Sequence, residues 1–381
     1  MNKILVGASA LALAAGTASA GGIERTTQSA MVLYEKGNHA ELSFGFVSPS
    51  VTGTSRTLVA DIDNVASSFW LPSAAIKMQF SDTLSAALII DRPYGADIAY
   101  EDGNPMLGGT TAEASNTAIT ALLKYQFNPN FSAFGGLRHS QADGDIQLRG
   151  AAYGAVNGYD LNLKSNGAYG YVLGGAYERP DIALRVALTY NSKITHDFKT
   201  TESGPLVDPD GPGPAPAMPL LNGSSTTDVD LPESWNLEFQ TGIAADTLLF
   251  GSVRYVKHSQ FKLDSEQFVT VVGSGLIDLE DTTTYRVGVG RRFNDQFSGS
   301  IAVAYEAAGD KLVSPLAPST GYTSVTLGGS YSVTDSLTLS SGISYIWLGD
   351  AQPETGTPDV ARADFENNSA VGLGVKIAYK F

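Results

Sequence analysis

The chain has 381 residues, a formal charge of −15 and no cysteine. That charge excludes a nucleic-acid partner, whose phosphates require basic surfaces, and the missing cysteines exclude disulfides and thiolate metal sites. At 43% hydrophobic residues the chain is too polar for a bundle of lipid-facing helices. It suits a barrel, in which every second strand residue meets lipid.

Lys3 precedes an apolar run from Ile4 to Ala15, and Ala18-Ser19-Ala20 reads as a cleavage site. Residues 1–20 are therefore expected to be a signal peptide, with the exported chain beginning at Gly21. The apolar run is shorter than the roughly 20 residues of a membrane-spanning helix. Residues 21–39 carry Ile23, Met31, Val32, Leu33 and Tyr34 among polar neighbours. They read equally as a segment tucked into a lumen and as a periplasmic tail.

From residue 40 onward the pattern is alternation. Strands are predicted near 40–51, 73–80, 83–91, 117–127, 131–148, 167–178, 182–199, 234–243, 248–263, 281–292, 297–307, 321–332, 337–348 and 369–381. The last is clearest. Val371, Leu373, Val375, Ile377, Tyr379 and Phe381 fall on one face, and Gly372, Gly374, Lys376, Ala378 and Lys380 on the other. Connections alternate between tight turns, such as Asn128-Pro129-Asn130 and Asn294-Asp295-Gln296, and long loops near 92–116, 150–166, 200–233, 264–280, 308–320 and 349–368. Short periplasmic turns and long external loops are a barrel's habit. The expected fold is all-β: a transmembrane antiparallel β-barrel of about 14 strands over 40–381, with 21–39 as a short N-terminal luminal segment. Tyr125, Tyr177, Tyr190, Tyr255, Tyr305, Tyr331, Tyr345, Trp347 and Tyr379 lie near strand ends, where interfacial rings sit well. The proline-rich stretch 204–219 reads as an irregular external loop, either a spacer or, through Leu206, Val207, Met218, Leu220 and Leu221, an apolar capture surface.

The order of several passages resembles the FadL/TodX family of outer-membrane transporters of hydrophobic compounds. They are "NTAITALLKYQFNPNFSAFGG" at Asn116–Gly136, "GYVLGGAYE" followed by "ALRVALTYNSKITHDFK", the Leu231-Pro232-Glu233-Ser234-Trp235 run, the Arg286–Ala304 hairpin and the strand ending in Phe381. The resemblance covers most of residues 40–381. It implies a fourteen-stranded barrel plugged by an N-terminal hatch. It also implies passive movement of long-chain fatty acids or aromatic hydrocarbons, from external loops to an apolar pocket and out through a lateral opening at a strand kink. The family's hatch is longer and carries an Asn-Pro-Ala motif. Here only about 19 residues, Gly21 to His39, precede the first strand, and that motif is missing from them.

A lipid carrier needs apolar residues facing inward. Parity nominates Leu122, Phe134, Phe250, Val256 and Ile346 for a ligand path, or equally for packing against the hatch and each other. Inward Arg138, Arg185 and Arg254 are positioned to meet a carboxylate head group, or to pair with lumen acids such as Glu238 and Glu306. No catalytic residue is assigned. His139-Ser140 and His258-Ser259 are sequence neighbours, which point to opposite faces of a strand. No metal or cofactor is expected; Asp208, Asp210, Glu280 and Asp281 read as solvated loop charges. The expected partners are a hydrophobic ligand, outer-membrane lipid and the barrel-assembly machinery through Phe381, for a monomer in the bacterial outer membrane. The leading expectation is fatty-acid transport. A general diffusion porin, distinguished by large steady ionic currents, and an outer-membrane lipid hydrolase are the alternatives.

Overall fold

The computed structural model describes residues 23–207, 217–357 and 359–381. The expected signal peptide lies outside the described residues, as do 208–216 of the proline-rich loop. The strands in chain order are β1 (His39–Ser50), β2 (Gly53–Ser55), β3 (Ala60–Ile62), β4 (Phe69–Gln79), β5 (Leu84–Asp91), β6 (Gly95–Ala99), β7 (Thr111–Gln126), β8 (Phe131–Leu148), β9 (Tyr159–Arg179) and β10 (Leu184–Asn191). There follow β11 (Ile194–Ser203), β12 (Gly223–Leu231), β13 (Ser234–Ala244), β14 (Thr247–Val256), β15 (Thr282–Arg292), β16 (Phe297–Glu306), β17 (Thr320–Ser332), β18 (Leu337–Gly349), β19 (Ala363–Phe365) and β20 (Ser369–Lys380). One short helix, α1 (Glu266–Val272), sits in an external loop.

Seventeen of these strands form one sheet. It closes where β1 meets β20, in register from His39 opposite Lys380 to Ser50 opposite Ser369. Three crossings are broken in mid-strand, as β5/β6, β10/β11 and β12/β13, so the wall has fourteen crossings. Closure answers the bilayer's demand that every backbone N–H and C=O be bonded within the protein. Alternation decides which face is which. Leu373, Val375 and Ile377 are exposed to the surroundings, while Ala370 and Ala378 are buried. Rings gather at both ends of the lipid-facing band. Tyr190 stacks near Trp235, and Tyr345 near Trp347, at the outer end. Phe131 with Tyr177, and Tyr379 with Phe381, mark the periplasmic end.

Two expectations about strands need correction. The strand predicted over 182–199 is two. The strand breaks at Ser192-Lys193, and the buried residues shift from odd (Ala187, Thr189, Asn191) to even (Ile194, His196, Phe198). The facing strand breaks at Pro232-Glu233, and the two halves keep a common register: Asn191 opposite Ser234, Ile194 opposite Leu231. A matched break preserves side-to-side pairing while inverting the faces, which simple alternation cannot reveal. The strand predicted over 248–263 ends at Val256, where the chain turns at His258–Gln260. The loops predicted at 92–116, 150–166 and 200–233 contain wall extensions, because β7, β9, β11 and β12 project beyond the membrane-facing rings.

Outside the membrane the loops fold into a cap. A three-stranded sheet of β19, β2 and β3 joins the first and last external loops. Its apolar core includes Val51, Ile62, Val65, Tyr100, Leu107 and Phe365. A second cluster includes Tyr159, Leu161, Phe198, Leu221 and Phe268. Glu202 fixes α1 to this cluster: its carboxylate accepts the Gln267 and Phe268 N–H groups and the Tyr159 hydroxyl, serving first-turn donors that the helix cannot bond itself.

Val375 lies halfway along the outer face of β20. Val375→Arg should cost about 2–4 kcal/mol in urea-driven unfolding from lipid vesicles, and Tyr379→Arg near the interface about 0–1 kcal/mol. Equal costs at both sites would contradict the assigned faces and depth.

Candidate functional site

Residues Ile23–Asn38 run through the lumen. Val32 and Leu33, in a short 3-10 turn at Met31–Tyr34, pack against Ala75, Ala87, Leu122, Phe134 and Val172 on five neighbouring strands. Polar groups hold the rest. Arg254 Nε donates to Glu24 Oε1 at 2.9 Å, Nη2 donates to the same oxygen, and Nη1 donates to Ser234 and Asn236. Thr26 Oγ1 donates to Asp91 at 3.0 Å, Ser29 Oγ to Glu238 at 2.7 Å, and Asn236 Nδ2 to the Thr27 carbonyl at 2.8 Å. At the periplasmic end the buried Lys77 ammonium donates to the Glu35 and Gly37 carbonyls at 3.0 and 2.9 Å.

Between this hatch and the wall lies a cavity of about 270 Å³. Apolar side chains of Met31, Val32, Leu71, Ala75, Leu248 and Phe250 line part of it, and Arg185, Glu238, Arg254 and Arg286 another part. Phe250 lies flat against the wall because Gly288 stands opposite, where a Cβ would come within 2.5 Å of its Cζ. A much smaller void, bordered by Leu122, Thr120, Arg138 and Val172, lies on the other side of Gln28–Ser29.

The wall beside the larger cavity is incomplete. The β4–β5 ladder covers only Ala74–Gln79 against Ser85–Ile90. Above it, Phe69–Ser73 pair with β1 alone. The facing strand kinks at Arg92-Pro93-Tyr94 before resuming as β6, which pairs with β7. Proline has no N–H to donate to a ladder. The hatch supplies the missing partner from inside: Arg25 N donates to the Pro93 carbonyl, and Gly95 N to the Ile23 carbonyl, both at 2.8 Å. The Arg25 side chain reaches into the gap. Its guanidinium carbon lies 3.9 Å from the centre of the Phe69 ring. A guanidinium stays cationic near neutral pH.

The eight nominated residues separate into groups. Phe250, Arg185 and Arg254 line the larger cavity. Leu122 and Arg138 border the small void, and Phe134 packs against Tyr34 of the hatch. Val256 and Ile346 are buried away from both cavities, Ile346 beneath the external cap. Arg254 is paired, but with Glu24 of the hatch; Glu306 bonds Thr284, and Glu238 bonds Ser29. Arg138 donates to Thr120 at 2.8 Å, and Arg185 to Gln240 at 3.0 Å while lying over the Tyr34 ring. Parity alone would have found Arg286 and Leu248, which share a face with Thr284 and Phe250. Glu24, Arg25 and Leu71 carry no such signal, since they act through the hatch and the kink.

His139 and Ser140 do point apart: His139 lies against the Tyr169 ring, whereas Ser140 is buried; His258 and Ser259 lie in a 3-10 turn, not on a strand, so the strand argument does not apply to them. Ser140 Oγ instead lies 3.1 Å from His196 Nε2, and His196 Nδ1 lies 3.2 Å from Asn166 Oδ1. Ser140 and His196 are 1% and 0% exposed, so this arrangement leaves no space for an acyl group.

The sequence profile of the outer membrane protein transport proteins (OMPP1/FadL/TodX) matches residues 8–381. The chain belongs to this FadL/TodX family. It is 25% identical over 287 residues to a long-chain fatty acid transport protein of Salmonella typhi, an alignment covering 68% of this chain and 65% of that relative's length. The fold is shared with a Pseudomonas aeruginosa FadL homologue (TM-score 0.74, 15% identity, 92% of each chain). It is also shared with the Pseudomonas putida toluene transporter TodX (TM-score 0.62, 14% identity, 95% of this chain and 98% of that one). Membership places this FadL/TodX protein in the bacterial outer membrane.

Glu24→Ala leaves the Arg254 charge buried without its partner, and breaking a buried pair in this way costs about 3–5 kcal/mol. The expected result is faster proteolysis within residues 23–38, with the barrel itself still folded. Unchanged protection of those residues would show that Glu24 does not hold the hatch.

Proposed function

We propose that this protein carries long-chain fatty acids across the outer membrane by passive diffusion, as a monomer. The carboxylate rests near Arg185 and Arg286, and the chain lies along Met31, Val32, Leu71 and Phe250. The observation that carries the reading is the cavity's double character. Arg185 and Arg286 line it without forming an ion pair among the described residues, and apolar side chains form its other wall. An anion leaving water needs a charged partner to offset its desolvation, whereas a neutral hydrocarbon has no use for one. The break between β4 and the Arg92–Tyr94 kink supports a lateral route, since the cavity reaches it through Leu71, Pro72 and Asp91. The hatch lying through the lumen argues against a general porin, which needs an open water path. The fatty acid transported by the Salmonella typhi relative and the toluene transported by TodX name two ligand classes; the charged lining favours the first.

Titration calorimetry on the purified protein tests this with oleate. Arg185→Gln and Arg286→Gln should each weaken binding about tenfold, equivalent to about 1.4 kcal/mol, and the matching fatty alcohol should bind less tightly than the acid. Equal binding of acid and alcohol, unchanged in both variants, would refute the head-group assignment.

A further inference from the structure

The gap between β4 and the kink is flanked by cations on both sides. Arg25 enters it from the lumen, lying over Phe69 of the β4 stretch that pairs on one side only, with β1. Gly95 across the gap makes this possible, because a Cβ there would stand 2.8 Å from Arg25 Nε. Arg92 is exposed on the kink itself. Neither forms an ion pair among the described residues. The acids nearby leave them free. Asp91 is engaged by Thr26, and Asp97 acts on Arg25 from beyond contact distance. Arg25 also lines the cavity that holds Arg185 and Arg286, so the guanidiniums form a series from the lumen to the outside of the wall.

We infer that Arg25 and Arg92 are specificity-determining residues of the wall gap, which passes amphiphiles with an anionic head group in preference to neutral hydrocarbons. This rests on the fatty-acid reading above. A carboxylate moving through the wall leaves water behind, and without a partner its desolvation blocks the crossing. Arg25 receives it from the cavity, and Arg92 meets it at the outer face of the wall. The chain follows along Phe69 and Leu71. Guanidinium suits this role because it is weakly hydrated, stays charged and forks two donors toward a carboxylate. A neutral hydrocarbon gains nothing from either group and must displace the Arg25 side chain from the Phe69 ring.

The test compares uptake of radiolabelled oleate and of toluene by cells producing the wild-type protein, the Arg25→Gln/Arg92→Gln double variant, or Arg25→Lys. Barrel folding is checked by heat-dependent gel migration. The double variant should lose about tenfold in oleate uptake, corresponding to about 1.4 kcal/mol at the crossing, while toluene uptake holds or rises. Arg25→Lys, which keeps the charge, should retain most oleate uptake. Oleate uptake unchanged in the double variant overturns the inference. So does an equal fall for both compounds, which would mark Arg25 as a structural prop of the hatch. A wild-type protein that takes up toluene but no oleate sinks the fatty-acid reading itself, and that result appears in the wild-type arm alone.

Discussion

Inside a bilayer no backbone N–H or C=O tolerates being left without a partner, and this requirement organises the whole molecule. Fourteen crossings satisfy one another around a closed wall. Where the third crossing leaves its neighbour at Arg92-Pro93-Tyr94, something else must take over its bonding groups. Ile23–Arg25 do so from within, bonding Pro93 and Gly95 as a further strand would. The hatch is thus more than a plug that happens to fill space. It bonds the kinked edge of the opening while the β4 edge at Phe69–Ser73 stays paired with β1 alone, and it is anchored there by Arg254, whose buried charge needs Glu24 as much as Glu24 needs it.

The proposed function follows from putting the cavity beside that incomplete wall. A fully hydrogen-bonded barrel offers a greasy molecule no side exit, and an open lumen offers it only water. Here Leu71 and Pro72 belong both to the cavity lining and to the stretch of β4 that pairs only with β1, so one apolar surface runs from the interior to the edge of the gap. The external cap has its own sheet and apolar core. Glycines opposite Phe250 and Phe134 let those rings lie close to the wall, Phe250 lining the cavity and Phe134 packing against the hatch.

Much of this was legible in the sequence, because lipid outside and an enclosed interior impose a period of two. Val371 to Phe381, Leu337 to Trp347 and Thr282 to Arg292 keep that period without interruption, and their faces were readable from residue type alone. The same logic placed Phe250, Arg185 and Arg254 on the inner face. It stopped working where the backbone changes parity. Nothing in "NSKITHDF" announces that Ser192-Lys193 inverts the faces, because Ile194 and Phe198 are as apolar as the outward residues before them. Inward direction also says nothing about depth, so Ile346 was correctly turned toward the interior yet belongs beneath the cap. The hatch contacts were least legible of all. Glu24 and Arg254 are 230 positions apart, and no local pattern joins a coil residue to a strand across a lumen.

The central claim is that ligand crosses the wall between β4 and the kinked third crossing. The chain has no cysteine, so two can be introduced cleanly, as Trp70→Cys and Ala96→Cys on the two edges of the gap. Oleate uptake is then measured before and after bridging them with a short bismaleimide. The account predicts that bridging abolishes uptake, while the same bridge between Leu327→Cys and Ile343→Cys, which face each other across an intact ladder, leaves it unchanged. Uptake that continues with the gap bridged would contradict the account.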